Sequence, residues 1–291
     1  MTKARKRIKI IASRAVVYAV LTLFALWILA PFSIVLSISV KNWVEAERFG
    51  FTLWPQDGFD FSGFTKALGF KYFDAETPAL LIGLKNTLIY VIPTVLIGLM
   101  MSSVAAYAFA KIRFRLKNAM FGALIAILLI PGTIMLAPAY MLYTTIGWVN
   151  TPLPLMIPGM FGTAACVFFM RQFYSGIPDA LVEAAKLDGM GYWKIFFKIM
   201  IPLSVPALLA QGILGFVGGY NDYLGPLIYL QSRSDLFTLQ ITLNEFAGRF
   251  KLGSVNTLMA ACVLVLIPTL IIYAVAQKYF IEGIATSGMK L

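Results

Sequence analysis

The chain has 291 residues, of which 60% are hydrophobic and 13% are charged, with a mean hydropathy of +0.83 and a formal net charge of +11. A surface that faces water cannot cover so apolar a composition, which excludes a soluble protein and predicts an all-α protein that crosses a membrane several times. The excess of Lys and Arg then marks cytoplasmic loops and not a nucleic-acid surface, and the absence of histidine excludes every mechanism or metal site that needs imidazole.

The N-terminal part of the chain predicts a cytoplasmic tail, a first span and an external loop. Residues 1–14 are strongly basic without an acidic residue, so we expect them on the cytoplasmic side, beside anionic lipid. The apolar run at residues 15–40 is longer than the roughly 20 residues that a helix needs to cross a bilayer, and Pro31 predicts a bend in it. Residues 41–85 have nearly balanced charges and are rich in aromatic residues and Gly, which favours an external loop.

Three further spans are predicted between residues 86 and 170. The second, at residues 86–110, ends at a basic loop without acidic residues, residues 111–117, which is therefore cytoplasmic. The third, at residues 119–142, is interrupted near Pro131, because proline removes a helical hydrogen bond. The fourth, at residues 153–170, returns the chain to the cytoplasm.

A polar segment, residues 171–202, follows the fourth span on the cytoplasmic side. It begins with a helix, since Pro178 suits the first helical position and Glu183 places negative charge near the positive end. Ala184 and Ala185 leave a bare patch on this helix, where another surface can approach closely.

The same segment then turns and continues as a second helix. Gly189 ends the first helix, because glycine tolerates the left-handed backbone of a C-cap. Residues 192–201 carry aromatic and aliphatic residues together with two lysines, which predicts a helix that lies along the membrane surface. Pro202 marks the break before the next apolar run.

Two more spans complete a predicted bundle of six, which occupies residues 15–276. The fifth, at residues 203–223, contains small residues that let helices approach closely, namely Gly212, Gly215, Gly218 and Gly219. Residues 229–256 are predicted as an external loop, and the sixth span at residues 257–276 leads into a cytoplasmic tail, residues 277–291. Both termini are then cytoplasmic, and every strongly basic loop lies on that side.

The motifs of several enzyme classes are absent from the sequence. No nucleotide-binding G-x-x-x-x-G-K-[ST] pattern, no G-x-S-x-G and no H-E-x-x-H occurs, so the chain is predicted to be neither an ATPase nor another enzyme. Cys166 and Cys262 lie in apolar runs and are interpreted as packing residues, with no metal site. The span interiors lack ionisable residues, which disfavours the alternative function of an ion-coupled secondary transporter.

The polar segment resembles a known cytoplasmic loop. The spacing Glu183-Ala184-Ala185, three residues, Gly189 and a terminal Pro202 resembles the "EAA" loop of permease subunits in bacterial ATP-binding-cassette importers. Three further stretches, residues 105–115, 221–228 and 283–290, resemble carbohydrate permeases of the maltose-type family. Tyr220 departs from that family, which commonly has Trp there. An ordinary amphipathic interfacial helix with a glycine cap is the alternative interpretation of the loop.

The resemblance implies a bacterial inner-membrane permease that imports a sugar by alternating access. It implies four kinds of partner, namely the lipid membrane, a second homologous permease, an ATPase dimer that binds ATP and Mg²⁺, and an external solute-binding protein. No cofactor is expected in this chain. The residues implied in coupling to the ATPase are Glu183, Ala184, Ala185, Asp188, Gly189 and Pro202.

Two weaker sites follow from the same resemblance. A loop between the last two spans is implied to contact the binding protein, through Asn244, Glu245, Phe246, Arg249 and Phe250, and a plain solvated loop is the alternative. The candidate substrate pathway comprises Gly218, Gly219, Tyr220, Asn221 and Asp222. Helix packing by the glycines and helix capping by the Asn-Asp pair remain open alternatives for this second site.

Overall fold

The computed structural model describes residues 3–48, 50, 52–72, 76–249 and 255–288. Within these ranges every regular element is helical and no β-strand occurs, which confirms the predicted all-α class.

The helices are numbered in chain order. The first three are α1 (Lys3–Ser39), α2 (Trp43–Glu47) and α3 (Ser62–Gly69). Five follow up to the polar segment: α4 (Ala79–Lys111), α5 (Lys117–Leu128), α6 (Leu136–Thr145), α7 (Leu153–Met160) and α8 (Ala164–Ser175). The polar segment contains α9 (Asp179–Leu187), α10 (Tyr192–Ile195) and α11 (Ile201–Leu203). The last four are α12 (Val205–Tyr220), α13 (Leu224–Leu230), α14 (Leu239–Arg249) and α15 (Val255–Gly288).

By length and composition, four helical stretches in the described residues can cross a membrane. They are Ala12–Ser39, Ala79–Lys111, Leu153–Ser175 and Val255–Val275. Two bent pairs also qualify when each pair is taken as one span: Lys117–Leu128 with Gly132–Thr145, bent by 89°, and Tyr192–Leu203 with Val205–Tyr220, bent by 78°. The first bend lies near Pro131, where an interruption of the third span was predicted.

One compact unit of the fold consists of Lys71–Asn244 and Ile267–Leu291, and α4 is its central helix. On one face of α4, Gly98 packs so closely on α7 that a Cβ there would overlap the carbonyl oxygen of Gly159. On a neighbouring face, valine and leucine side chains of α4 contact three of the four predicted glycines, namely Gly212, Gly215 and Gly219. Small residues therefore allow two helices to approach α4 side by side.

The fourth span is interrupted between α7 and α8, which was not predicted. Gly162 has a φ of +90°, a conformation that residues with a Cβ rarely adopt. The backbone N–H of Thr163 donates to Ser102 Oγ at 3.2 Å, and Thr163 Oγ1 accepts from the N–H of Cys166 at 3.2 Å as the N-cap of α8. Side chains thus satisfy the polar groups that the break would leave unpaired.

The other compact unit consists of Met1–Phe70 and Glu245–Leu266, and a buried ion pair lies at its centre. Lys41 Nζ lies 3.7 Å from Glu45 Oε1, and both side chains are almost fully buried. Lys41 also donates to Thr52 Oγ1 at 2.8 Å, while Glu45 accepts from the backbone N–H of Gln56 at 2.8 Å. Burial raises the pKa of Glu45, but these backbone hydrogen bonds and the Lys41 charge outweigh it and lower the pKa below its usual value.

Several predicted loops contain helices. The predicted external loop at residues 41–85 includes α2 and α3, and α4 begins inside it at Ala79. The predicted loop at residues 229–256 contains the whole of α14, and the predicted tail at residues 277–291 is helical up to Gly288. Met289 and the two residues after it lie outside the described part of the chain.

Candidate functional site

The polar segment has an inner face that is buried in the protein. Val182 and Ala185 of α9 are buried, as are Ile195, Phe196 and Met200 in the next helical stretch. Together they form one apolar cluster with residues of α4 and α8. The segment is therefore fixed to the ends of two helices over a broad apolar contact, so a displacement of one is transmitted to the other.

A salt bridge fixes the start of α9 to the end of α4. Lys111 Nζ donates to a carboxylate oxygen of Asp179 and, at 2.6 Å, to the carbonyl oxygen of Ile177. The side chain of Lys111 is only 4% exposed, whereas that of Asp179 is 77% exposed. The hydrogen bond and charge of Lys111 lower the pKa of Asp179, so this contact persists at neutral pH and weakens as the pH falls through that lowered value.

The turn after α9 is a complete Schellman motif. Gly189 has a φ of +77° and donates its N–H to the carbonyl of Lys186 at 3.0 Å, while the N–H of Met190 donates to the carbonyl of Ala185 at 2.9 Å. This pair of bonds defines the motif and satisfies carbonyls that a helix end leaves free. Gly189 therefore ends the helix by the means that the sequence predicted.

The outer face of α9 is exposed. Glu183 and Ala184 are exposed there, and Leu187, one turn further along, is 90% exposed. Tyr192 and Trp193, just beyond the turn, are also at least half exposed. Large apolar side chains that are exposed together on a polar segment are typical of a surface that binds another protein. We call this set of five residues the docking face.

The docking face corrects one prediction. Ala184 and Ala185 were expected to form a bare patch together, but their side chains point in different directions because consecutive residues in a helix lie about 100° apart. Ala184 is exposed and Ala185 is buried. Asp188 is exposed at the end of α9, where its N–H donates to the carbonyl of Ala184 at 3.0 Å.

The second helix of the segment differs from the prediction in two respects. It was expected to lie along the membrane surface, but three of its apolar residues are buried in the protein cluster described above. The stretch Phe196–Met200 is a π-helix, and α11 follows it without interruption. The chain bends at Ser204 and not at Pro202, and Ser204 Oγ donates to the carbonyl of Met200 at 2.8 Å. Pro202 lies inside the continuous helical stretch before the bend, where it has no N–H to donate.

A hydroxyl in the apolar cluster has no partner among the described residues. Tyr107 of α4 is buried, its ring lies 5.4 Å from that of Phe196, and its Oη makes no hydrogen bond. An unsatisfied buried hydroxyl costs about 1–3 kcal/mol.

We therefore expect Tyr107→Phe to keep the folded protein at least as stable as the unsubstituted one, measured as the midpoint of thermal aggregation in detergent. Tyr174→Phe is the matched comparison, because its hydroxyl is hydrogen-bonded to Ser103, and it should lower the midpoint. A lower midpoint for Tyr107→Phe than for Tyr174→Phe would contradict the assignment.

The structure separates the five residues of the predicted substrate pathway. Gly218 is exposed, and a Cβ there would meet no atom within 4 Å, whereas Gly219 packs against Val91 and Tyr220 is buried. Packing is thus the role of these last two.

The Asn-Asp pair that follows has capping contacts. Asn221 is exposed, and its Nδ2 donates to the carbonyl of Val217 at 2.9 Å. Asp222 Oδ1 accepts from the N–H of Gly225 at 3.2 Å, at the start of α13. The alternative interpretation of this pair as a helix cap therefore has direct structural support.

The residues predicted to contact a binding protein lie on α14. Asn244 is exposed, whereas Phe246 is fully buried and its ring lies 5.3 Å from that of Phe70 in a T-shaped contact. Phe246 is therefore a packing residue in its unit. Glu245 is half-buried, Arg249 ends the helix, and Phe250 lies outside the described residues.

Sequence reasoning did not single out Gln211, which lies in the middle of α12. It is the only Asn or Gln between Ser204 and Tyr220. The sequence contained this signal, since a polar side chain inside an apolar membrane helix costs free energy and usually has a function.

Comparisons with known proteins agree on one family. The family model for the "Binding-protein-dependent transport system inner membrane component" matches residues 86–286. The arabinooligosaccharides transport system permease protein AraQ of Halalkalibacterium halodurans is 36% identical, over 67% of this chain and 69% of its own length. The melibiose/raffinose/stachyose import permease protein MelC of Bacillus subtilis is 31% identical, over 89% and 91%. The lactose transport system permease protein LacG of Rhizobium radiobacter is 32% identical, over 65% and 68%.

A solved structure extends the likeness over nearly the whole chain. It is the crystal structure of a bacterial ABC transporter involved in the import of the acidic polysaccharide alginate, with a TM-score of 0.78. The match covers 96% of this chain and 99% of that one at 24% identity, which establishes a shared fold.

Proposed function

The chain belongs to the family of binding-protein-dependent transport system inner membrane components, and from that premise we propose that it is a permease subunit of an ATP-driven sugar importer. The family places it in the inner membrane as a multi-pass protein whose ATP hydrolysis is carried out by a separate subunit. It is therefore not itself an enzyme, and ATP and Mg²⁺ are bound by the partner ATPase.

An uncharged oligosaccharide is the substrate class that we propose. The names of three relatives refer to arabinooligosaccharides, to melibiose, raffinose and stachyose, and to lactose. The span interiors of this chain lack ionisable residues, which suits a neutral solute held by hydroxyl-directed hydrogen bonds. An ion-coupled transporter would instead need ionisable groups near the middle of the membrane.

A topology of six spans with both termini in the cytoplasm accompanies this function. It counts each of the two bent helix pairs as one span. The basic tail at residues 1–14, the basic loop at residues 111–117 and the docking face then all lie on the cytoplasmic side.

The exposed docking face on a buried base is the observation that carries the proposal. In our proposal α9 is a coupling helix, and its outer face inserts into a groove of the ATPase. Because its inner face is fixed to α4 and α8, closure of the ATPase dimer moves the helices that border the pathway. Coupling requires that the two nucleotide states favour different permease conformations, as in alternating access.

The proposal includes two further partners. A second, homologous permease subunit completes the pathway, and an external solute-binding protein delivers the sugar. We assign Asn244 and Glu245 to the surface that faces the binding protein, because they lie on α14 between the last two spans. Arg249 and Phe250 extend the same proposed surface along the sequence.

The test is co-purification from detergent-solubilised native membranes with a tagged chain. We expect an ATPase with a Walker motif to co-purify with the unsubstituted protein and to be lost with Glu183→Lys, because the substitution reverses an exposed charge on the docking face. The yield of the variant in the membrane should be unchanged, since Glu183 is exposed.

Arg115→Glu is the charge-reversal control, in the exposed connection between α4 and α5 and outside the docking face. It should retain most of the ATPase. Retention of the ATPase by Glu183→Lys would overturn the coupling assignment. Uptake of sugar driven by an ion gradient without any ATPase would overturn the proposed function itself.

A further inference from the structure

An unpaired amide lies in the middle of a membrane span. Gln211 is the seventh residue of α12, and its side chain is half-buried. Among the described residues it has no hydrogen-bond partner. An amide that faces hydrocarbon without a partner costs several kcal/mol, so such side chains turn toward protein or toward a water-filled cavity.

The packing of α12 fixes the direction of this side chain. Gly212, Gly215 and Gly219 face α4, where they contact or approach leucine and valine side chains. Residues 3.6 positions apart share a helix face, which places Gln211 and Gly218 together on a flank of that contact. Gly218 is open, with no atom within 4 Å of a Cβ built there.

The other flank of α12 has a different chemistry. There an entirely apolar groove is lined by residues of α4 and α12 and by Ile272 of α15, and it contains Leu209 and Ile213. This groove suits lipid or an apolar helix. The flank with Gln211 combines an amide with the open site at Gly218 and, beyond it, the exposed Asn221. The two flanks of one helix are thus distinguished by polarity.

The polar flank lies on the side of α12 that faces the interrupted span. At its cytoplasmic end, buried Ala207 belongs to the same apolar cluster as Val167 and Met170 of α8. Ala207 lies one turn before Gln211, on the same flank. The interruption between α7 and α8 packs on the neighbouring face of α4, through Gly98 and Ser102. Gln211 therefore lies one turn beyond the contact of α12 with α8. Non-helical backbone at membrane depth, such as the break before α8, lines a cavity or is buried in protein.

We propose that Gln211 faces the translocation pathway and forms hydrogen bonds with hydroxyl groups of the transported sugar. This inference rests on the proposed function. An amide both donates and accepts, as a sugar hydroxyl does, so it can contact successive hydroxyls without a buried charge. Gly218 leaves room for a sugar ring two turns further along the same flank.

The first test is transport by the complete complex in proteoliposomes, with arabinotriose, lactose and raffinose as probes. Gln211→Met preserves side-chain length and removes the amide, and we expect it to raise the KM for the transported probe about fivefold, as for the loss of one hydrogen bond. Gln211→Asn should recover part of the affinity. Basal ATPase activity without sugar should stay the same, because Gln211 is not part of the docking face. Leu209→Met, in the apolar groove on the other flank of α12, is the matched control and should leave the KM unchanged.

The second test does not depend on the sugar. In a chain with Cys166→Ser and Cys262→Ser, Gln211→Cys should react with a membrane-impermeant sulfonated thiol reagent, and Ile213→Cys in the apolar groove should not. The transported probe should slow the reaction at position 211. An unchanged KM for Gln211→Met together with equal reactivity at positions 211 and 213 would overturn the inference. If the unsubstituted complex imports none of the three sugars, the proposed sugar function fails, while the contrast between 211 and 213 still decides whether Gln211 faces the pathway.

Discussion

Leu187→Asp is expected to reduce ATP-driven uptake by at least about tenfold while the amount of the protein in the membrane stays unchanged. Leu187 belongs to the docking face and is 90% exposed, so its replacement leaves the buried base in place. Large side chains at the centre of an interface commonly contribute 2 kcal/mol or more, and each 1.4 kcal/mol corresponds to a tenfold change in binding. An aspartate in an apolar groove of the partner would also be buried without a counter-charge.

Uptake and ATPase co-purification should be measured in the same membranes. Leu116→Asp is the matched control, because Leu116 is also an exposed leucine, in the short connection before α5 and outside the docking face. It should retain uptake close to that of the unsubstituted chain. Normal uptake by Leu187→Asp, or an equal loss in both variants, would contradict the role of the docking face.

Gly98→Val is expected to prevent correct folding of the permease. A Cβ at position 98 would overlap the carbonyl oxygen of Gly159, which is main chain and cannot rotate away. Gly159 is equally confined, since a Cβ there would lie 2.5 Å from Thr94 Cγ2. The substitution therefore separates α4 from α7 at the narrowest point of their contact. Overpacking of this kind costs about 1–3 kcal/mol or more, a large share of the stability of a folded domain.

We expect the yield of monodisperse Gly98→Val in detergent to fall at least about fivefold, as measured by size-exclusion chromatography. Gly122→Val is a matched control in α5, where a Cβ meets no atom within 4 Å. Its yield should equal that of the unsubstituted chain. Monodisperse Gly98→Val with normal uptake would show that the contact between α4 and α7 tolerates a gap.

Local chemistry explains which parts of the fold could be predicted from the sequence. The interruption near Pro131 and the end of α9 at Gly189 were predicted correctly, because each depends on one residue whose backbone preference dominates its neighbours. The break before Thr163 was missed, although a Gly followed by a Thr N-cap is a helix-start signal. The apolar run around Thr163 is long enough to cross a membrane, so it was interpreted as one uninterrupted span.

The candidate site could be predicted only at the level of sequence spacing. The spacing from Glu183 to Gly189 located the segment, but it does not state which side chains point outward. That distinction depends on the cluster formed by α4 and α8, which separates exposed Ala184 from buried Ala185. Phe246 illustrates the same limit, since its burial depends on Phe70, which lies far away in sequence.

The π-helical stretch Phe196–Met200 determines how the residues before it, including Trp193, are rotated relative to the fifth span. A π-turn completes one turn with about one residue more than an α-turn, so it absorbs that residue without rotating the residues that precede it. If the same residues wound as an α-helix, Trp193 would rotate by about 100° relative to the fifth span. The aromatic side of the docking face would then swing away from α9, although every side chain of the interface would still be present. The coupling surface therefore depends on how this helical link is wound as well as on the side chains that it carries.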